Sequence, residues 1–349
     1  PQMQEWIKAG VRGGIPDIDS HQIKQTLEGG NSDDINQAIN LVANSGGGAV
    51  LLKDAIYNIT KQVTMQSNVV LIGQSRDKTI AVIDMDNGNA FLFGKNVNNS
   101  GIYRLTMEGI WGKPKQNWNI GDGDANNELN GNENVTVMFK DSIDSWLDDV
   151  NIFNSADFPV RCNATHITFR GLDVDGVHNK QGGAHGYFFI LNGYNLITQS
   201  KMTHLRHISL QGDDVEYNVL YDNDLAQEVS YHSGDDGNNL IEFNRIVLPA
   251  DMPNGTNGPD YRAIMGPWST QHEKSKTDNY NFNNQIGELN HNHPIGSVLS
   301  GNDKVYAGPI FDVSKGEEQG KNFPAMRDEN NEFIVPVGYT LYPIVLEIE

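Results

Sequence analysis

The sequence has a single cysteine, Cys162, so an internal disulfide framework and the multi-cysteine zinc patterns are both excluded. It has no apolar run near the roughly 20 residues that a membrane helix needs, and no basic-plus-apolar segment opens it. Basic residues are scarce, 25 against 45 acidic, and the formal net charge of -20 gives a field that repels nucleic acid and anionic membranes. Neither is expected as a partner. What the 349 residues do hold is an apolar fraction of 38%, enough for a substantial core, with 36 glycines and much Asn and Asp. Because the chain begins at Pro1, a secretion signal is read as already removed, and a secreted or periplasmic location is expected.

Amphipathic helices are scarce as well. In "NSDDINQAINLVANSGGGAVLLKDAIYNITKQVTMQSNVVLIGQS" (31 to 75), Ile35, Ala38, Ile39 and Val42 fall at helical spacing. Ser32 or Asp33 can cap the start, and Gly46 to Gly48 end the helix. Short β-rich runs cut by turn residues follow, and from about residue 99 they recur. "NVTVMF", "FPVRC", "YFFILNG", "HISLQG", "EVSYHSG" and "YRAIMG" each precede a second short strand. Gly193 to Gly212 is 19 residues and Gly212 to Gly234 is 22, a spacing that without intervening helices predicts stacked β-coils.

The 31 to 75 stretch, with its Asp-Asp, Gln-Ala-Ile helix, Gly-Gly-Gly, Tyr-x-Ile and Asn-Val-x-Leu-x-Gly, resembles the N-terminal cap of the pectate-lyase-like right-handed parallel β-helix superfamily. The resemblance implies an all-β right-handed parallel β-helix with an N-terminal capping helix. It also implies a carbohydrate-active protein, since the superfamily includes lyases, glycoside hydrolases, epimerases, fructotransferases and phage tailspikes. One β-helix domain over 1–349 is expected. Residues 1–75 form its cap region, 76–301 its coils with long loops at 109–134 and 249–279, and 302–349 a strand-rich C-terminal cap.

Alternation along each strand divides core from surface. In "HISLQG", Ile208 and Leu210 point in, leaving His207, Ser209 and Gln211 outside; in "EVSYHSG", Glu228, Ser230 and His232 point out. That register makes His207 and Glu228 stack neighbours, roughly 5 Å apart at the backbone, and Gln211 and His232 likewise. One coil earlier it places Asn192 outside, and Arg161 before that.

Abstracting the C5 proton of a uronate needs a base and a cation to neutralise the sugar carboxylate. His207 or His232 can be the base, Arg206 or Arg262 the neutraliser, and Glu228 completes the catalytic set. Arg161, His185, Tyr187, Asn192, Gln211, Arg262 and Trp268 are read as substrate-binding, while Lys201 and Arg245 are solvated positions on a neighbouring column. A lyase acting on an alginate- or pectin-like polymer is therefore expected, with no required cofactor.

A glycoside hydrolase of a marine galactan is the alternative. It needs two carboxyl groups roughly 5 to 10 Å apart, for which Glu228 with Asp213, Asp235 or Asp236 are the candidates. Segments 261–272 and 305–313 are similar to C-terminal segments of iota-carrageenases, although the position of that family's catalytic acid falls near His232. A non-catalytic glycan-binding or tailspike-like protein is the third reading.

The Gly-Asp-Asp repeated at 212–214 and 234–236 resembles a polygalacturonase motif. The Asn-Thr-Asp and Gly-His-Gly motifs of that family are absent, so its catalytic residues are not carried over. The aspartates read first as corner residues. Asp235 and Asp236 can also hold a divalent cation such as calcium through their oxygens. Trp111, Trp118 and Trp268, on the long loops, offer flat faces to sugar rings.

Overall fold

The computed structural model of the protein describes residues 2–114, 132–180, 183–252, 261–267, 271–296, 305–308, 326–334 and 340–344, the strand at 305–308 by its backbone. Two compact units are distinguished. One comprises Gly10–Phe189 with Ser200–Arg206; the other comprises Ile190–Gln199 and His207–Glu349 with Pro1–Ala9. The α-helices among the described residues are α1 (Gln2–Trp6) and α2 (Ser32–Asn44).

The first unit contains α2, whose Ile35, Ala38, Ile39 and Val42 are buried as their spacing predicts. Its cap is Asn31, one residue earlier than expected. The Asn31 side chain accepts from the Asp33 and Asp34 amides while Asp34 accepts from the Asn31 amide, a reciprocal box. Ser32 is instead buried and accepts from the amides of Thr60 and Lys61. The helix stops at glycines with positive φ, and a side chain on Gly47 would run into the Asn68 carbonyl.

Parallel strands then stack coil on coil. Ile23–Leu27 pairs with Gly48–Leu52, which pairs with Val69–Gly73; Ala55–Ile59 pairs with Thr79–Ile83; and Asn89–Phe93 pairs with the start of Val135–Ser155. The core is layered apolar side chains, including Phe93 stacked on Phe139 at 4.3 Å and Phe139 edge-on to Phe169.

The second unit repeats the plan. Leu196–Thr198, Val219–Tyr221, Leu240–Glu242 and Asn279–Phe282 form one parallel column. His207–Gln211, Val229–Ser233 and Ile264–Met265 form another, and Asp224–Ala226, Arg245–Leu248 and Gln285–Glu288 a third. The chain is thus an all-β parallel β-helix with three short strands per coil, where the sequence shows two. The third strand is hidden because it is only three or four residues long and follows its predecessor across a tight corner. At those corners Asp222, Phe243 and Asn283 take left-handed backbone conformations, each followed by an asparagine.

Those asparagines build two ladders. Along one, the Asn195 amide donates to the Asn218 side chain, Asn218 to Asn239 and Asn239 to Asn279; along the other, Asn223 donates to Asn244 and Asn244 to Asn284. At the C-terminal side the antiparallel strand Val305–Gly308 pairs with Asn279–Phe282. Leu341 and Tyr342 join Trp6 of α1 in one apolar cluster with Val219, Leu240 and Phe282.

Candidate active site

In the first unit the most developed polar arrangement centres on His185. Its Nδ1 lies 2.7 Å from Oδ2 of Asp157, and the other oxygen of that carboxylate accepts the Gly186 amide at 2.8 Å. Asp157 is fully buried, whereas the His185 side chain is 21% exposed, so one end of the pair is fixed and the other meets solvent. With Nδ1 donating to the carboxylate, Nε2 carries the lone pair. The hydrogen bond that His185 donates to Asp157 raises the His185 pKa above its ordinary value, with burial and Arg206 opposing the rise. Burial raises the Asp157 pKa in turn, against the hydrogen bonds from His185 and Gly186.

Around this pair lies an aromatic floor. Phe158 is stacked with His185 at 6.2 Å and with Phe189 at 5.6 Å, and Tyr187 stands edge-on to Phe189 at 5.2 Å. Two guanidinium groups sit over these rings. Arg161 lies 5.6 Å from the Phe158 centroid and 5.9 Å from that of Phe189, and Arg206 lies 5.6 Å from that of Tyr187. The expected residues Arg161, His185, Tyr187 and Arg206 therefore come together, with Tyr187 and Arg206 buried rather than open.

Asp157 is the member that the sequence reading misses. It sits in "SADFPV", at a turn, and nothing distinguishes it there from the many corner aspartates.

In the second unit His207, Glu228 and His232 form a different arrangement. His207 Nδ1 is 3.0 Å from Glu228 Oε1, and the Gln227 side-chain amide donates to the same oxygen at 3.0 Å. The rings of His207, His232 and His272 follow one another at 5.0 and 4.5 Å. His207 and Glu228 are wholly buried and His232 is 5% exposed, so the outward column is not the open surface that alternation suggests. The reason is an insertion. Equivalent ladder asparagines are 21 residues apart between Asn218 and Asn239 but 40 apart between Asn239 and Asn279, and the added length brings Tyr261 and His272 onto these rings.

A register shift after Leu210 also sets Gln211 opposite Ser233, so Gln211 and His232 are not the cross-coil pair that simple alternation gives. Arg262 is bound to the buried Glu288 at 2.9 Å. Asn192 accepts the Gly193 amide within a turn. Trp268, Trp118, most of the 109–134 loop and part of the 249–279 loop lie outside the described residues. Trp111 is described, set edge-on to His178 at 6.2 Å.

The doubled Gly-Asp-Asp behaves as a corner. Lys276 Nζ bridges Asp213 and Asp236, at 2.5 and 2.7 Å. Asp235 turns inward, where its carboxylate accepts from Ser275, Asn279 and the Gly237 amide beside the asparagine ladder. Asp235 and Asp236 thus engage separate partners, and no cluster of three or more His, Cys, Asp or Glu suited to a metal is found among the described residues. The hydrolase pairs are spoken for in the same way: Glu228 by His207 and Gln227, Asp213 by Lys276.

The sequence matches no protein-family model, and a comparison with curated proteins gives no match. Solved structures do resemble the chain. Pectin methylesterase PemA from Erwinia chrysanthemi is 10% identical with a TM-score of 0.37, over 89% of this chain and 87% of the other. The A-module of a mannuronan C-5 epimerase from Azotobacter vinelandii is 14% identical with a TM-score of 0.34, over 74% and 87%. These likenesses are too distant to transfer chemistry, and they lend no support to the iota-carrageenase resemblance.

Proposed function

We propose that the protein is a polysaccharide-processing enzyme that acts on an acidic glycan by β-elimination at a uronate residue, with His185 as the base. The observation that carries this reading is the His185–Asp157 pair, half in solvent and half locked, beside two guanidinium groups on an aromatic floor. Asp157 holds the imidazole in the tautomer whose Nε2 can take a proton. The nearby cations stabilise the charge that spreads into the carboxylate as C5 loses its proton.

The balance is simple. Nε2 takes the C5 proton, the C–H electrons form the C4–C5 double bond, and the C4–O bond to the departing sugar breaks. The departing oxygen then takes a proton from His185 or from water.

The test is ultraviolet absorbance together with reducing-end release on polygalacturonate, alginate and a sulfated galactan, for the parent chain and for His185→Ala. New absorbance with new reducing ends, both lost in the variant, is the expected result. Reducing ends without absorbance would mean hydrolysis, and activity that survives in His185→Ala would remove the base assigned here.

A further inference from the structure

Arg161 differs from most of the described arginines in having no carboxylate beside it. Arg12, Arg76, Arg170, Arg245 and Arg262 are each paired with a carboxylate. Arg161 is half-buried and makes no ion pair with any described residue, in a chain whose carboxylates outnumber its cations by 45 to 25. Its Nε is out of contact with water and has no hydrogen-bond partner among the described residues. The contacts recorded for its guanidinium are with the faces of Phe158 and Phe189. Such contacts contribute about 0.5 to 2 kcal/mol, whereas withdrawing a cation from water costs several.

We infer that Arg161 is an anion-recognition residue that seats an oxyanion group, carboxylate or sulfate, of a sugar bound beside His185. Three features converge on this. The guanidinium fork suits two coplanar oxygens better than a point charge does. The contacts with the two rings restrict the side chain beforehand, so less rotamer freedom is lost when the anion arrives. And Phe158 carries Arg161 on one side and is stacked with His185, so an anion seated there belongs to a sugar within reach of the base. The inference rests on the glycan reading above for its choice of ligand and is independent of whether the reaction is elimination.

The experiment is calorimetric titration of the full chain carrying His185→Ala, so that nothing is turned over, with three probes: oligogalacturonate, a sulfated galactan oligosaccharide and its neutral counterpart. Arg161→Gln, Arg161→Lys and Arg161→Met are added in turn, and Arg161→Met keeps the apolar stem over the rings as a control for folding.

The expected result is tighter binding of one charged probe than of the neutral one. Arg161→Gln and Arg161→Met should lose at least tenfold of that affinity with a shallower dependence on salt, Arg161→Lys should lose less, and neutral binding should not change. The two charged probes distinguish carboxylate from sulfate. Equal affinities in parent and Arg161→Gln, equal loss for the neutral probe, or no preference of the parent for either charged probe would each overturn the inference. Charged-probe binding that depends on Arg161, with no turnover by the parent chain, would leave this inference standing and sink the elimination reading instead.

Discussion

Asp157 acts on His185 in two ways that a single variant can separate. It fixes which ring nitrogen is free, and it stabilises the imidazolium, lifting the His185 pKa above the ordinary histidine value. A base must be unprotonated to act, so activity should rise with pH through that raised value. Asp157→Asn removes the charge but keeps an oxygen for the Gly186 amide. The rising limb of kcat/KM against pH should then move to lower pH, while kcat on its plateau falls by about tenfold to a thousandfold because the tautomer is no longer enforced. A limb that stays in place would show that His185 is not the titrating group. Residue types and strand alternation gather Arg161 and His185 from the sequence, but not this carboxylate, because its function depends on a turn that brings residues 157 and 185 together across 28 positions.

At the scale of the element, the coil corners are held by asparagines. The ladder is written in the sequence as Asn-x-x-x-x-Asn at 218/223, 239/244 and 279/284, a pattern that flags the short strands between them more sharply than β-propensity does. Asn239 accepts the Asn218 amide and donates to Asn279 and to the Val215 carbonyl, all buried. Asn239→Ala should therefore strand a buried amide and destabilise the protein by about 2 kcal/mol, measured by chemical denaturation. Asn36→Ala, in α2, serves as a comparison at a part-buried position. An equal, small effect at both sites would count against the ladder.

The helical cap, the coil repeat and the inward columns were legible because periods of two and 3.6 follow from covalent geometry alone. Burial of the outward His207 column was not, since it follows from where an insertion folds back. Likewise the register shift after Leu210 depends on one extra residue, and alternation has no way to see it.

For the molecule as a whole, charge sets one expectation and its closure another. A net charge of -20 repels an acidic polymer at distance while Arg161 attracts it at contact. Raising ionic strength from about 0.01 to 0.15 M shortens the screening length from roughly 30 to 8 Å. KM for an acidic glycan should therefore first fall as the long-range repulsion is screened, and a KM that rises from the lowest salt upward would mean that the local cations dominate throughout.

The second expectation concerns Glu242, which is 1% exposed and accepts from the Thr340 hydroxyl at 2.6 Å and the Leu341 amide at 3.1 Å, anchoring the segment whose Leu341 and Tyr342 pack with Trp6. Burial pushes its pKa from 4.5 to about 7, against those hydrogen bonds. A carboxyl raised in this way favours the fold when protonated. Its contribution is full below pH 4.5 and is lost as pH rises through about 7, a swing of about 3 kcal/mol. Glu242→Gln keeps the accepting oxygen and cannot ionise. Relative to the parent, its unfolding free energy in urea should gain about 2 to 3 kcal/mol between pH 5 and pH 8, read as a difference so that the other carboxylates cancel. A difference that does not change with pH would mean that Glu242 stays charged in the fold and that the closing segment is held by its apolar contacts alone.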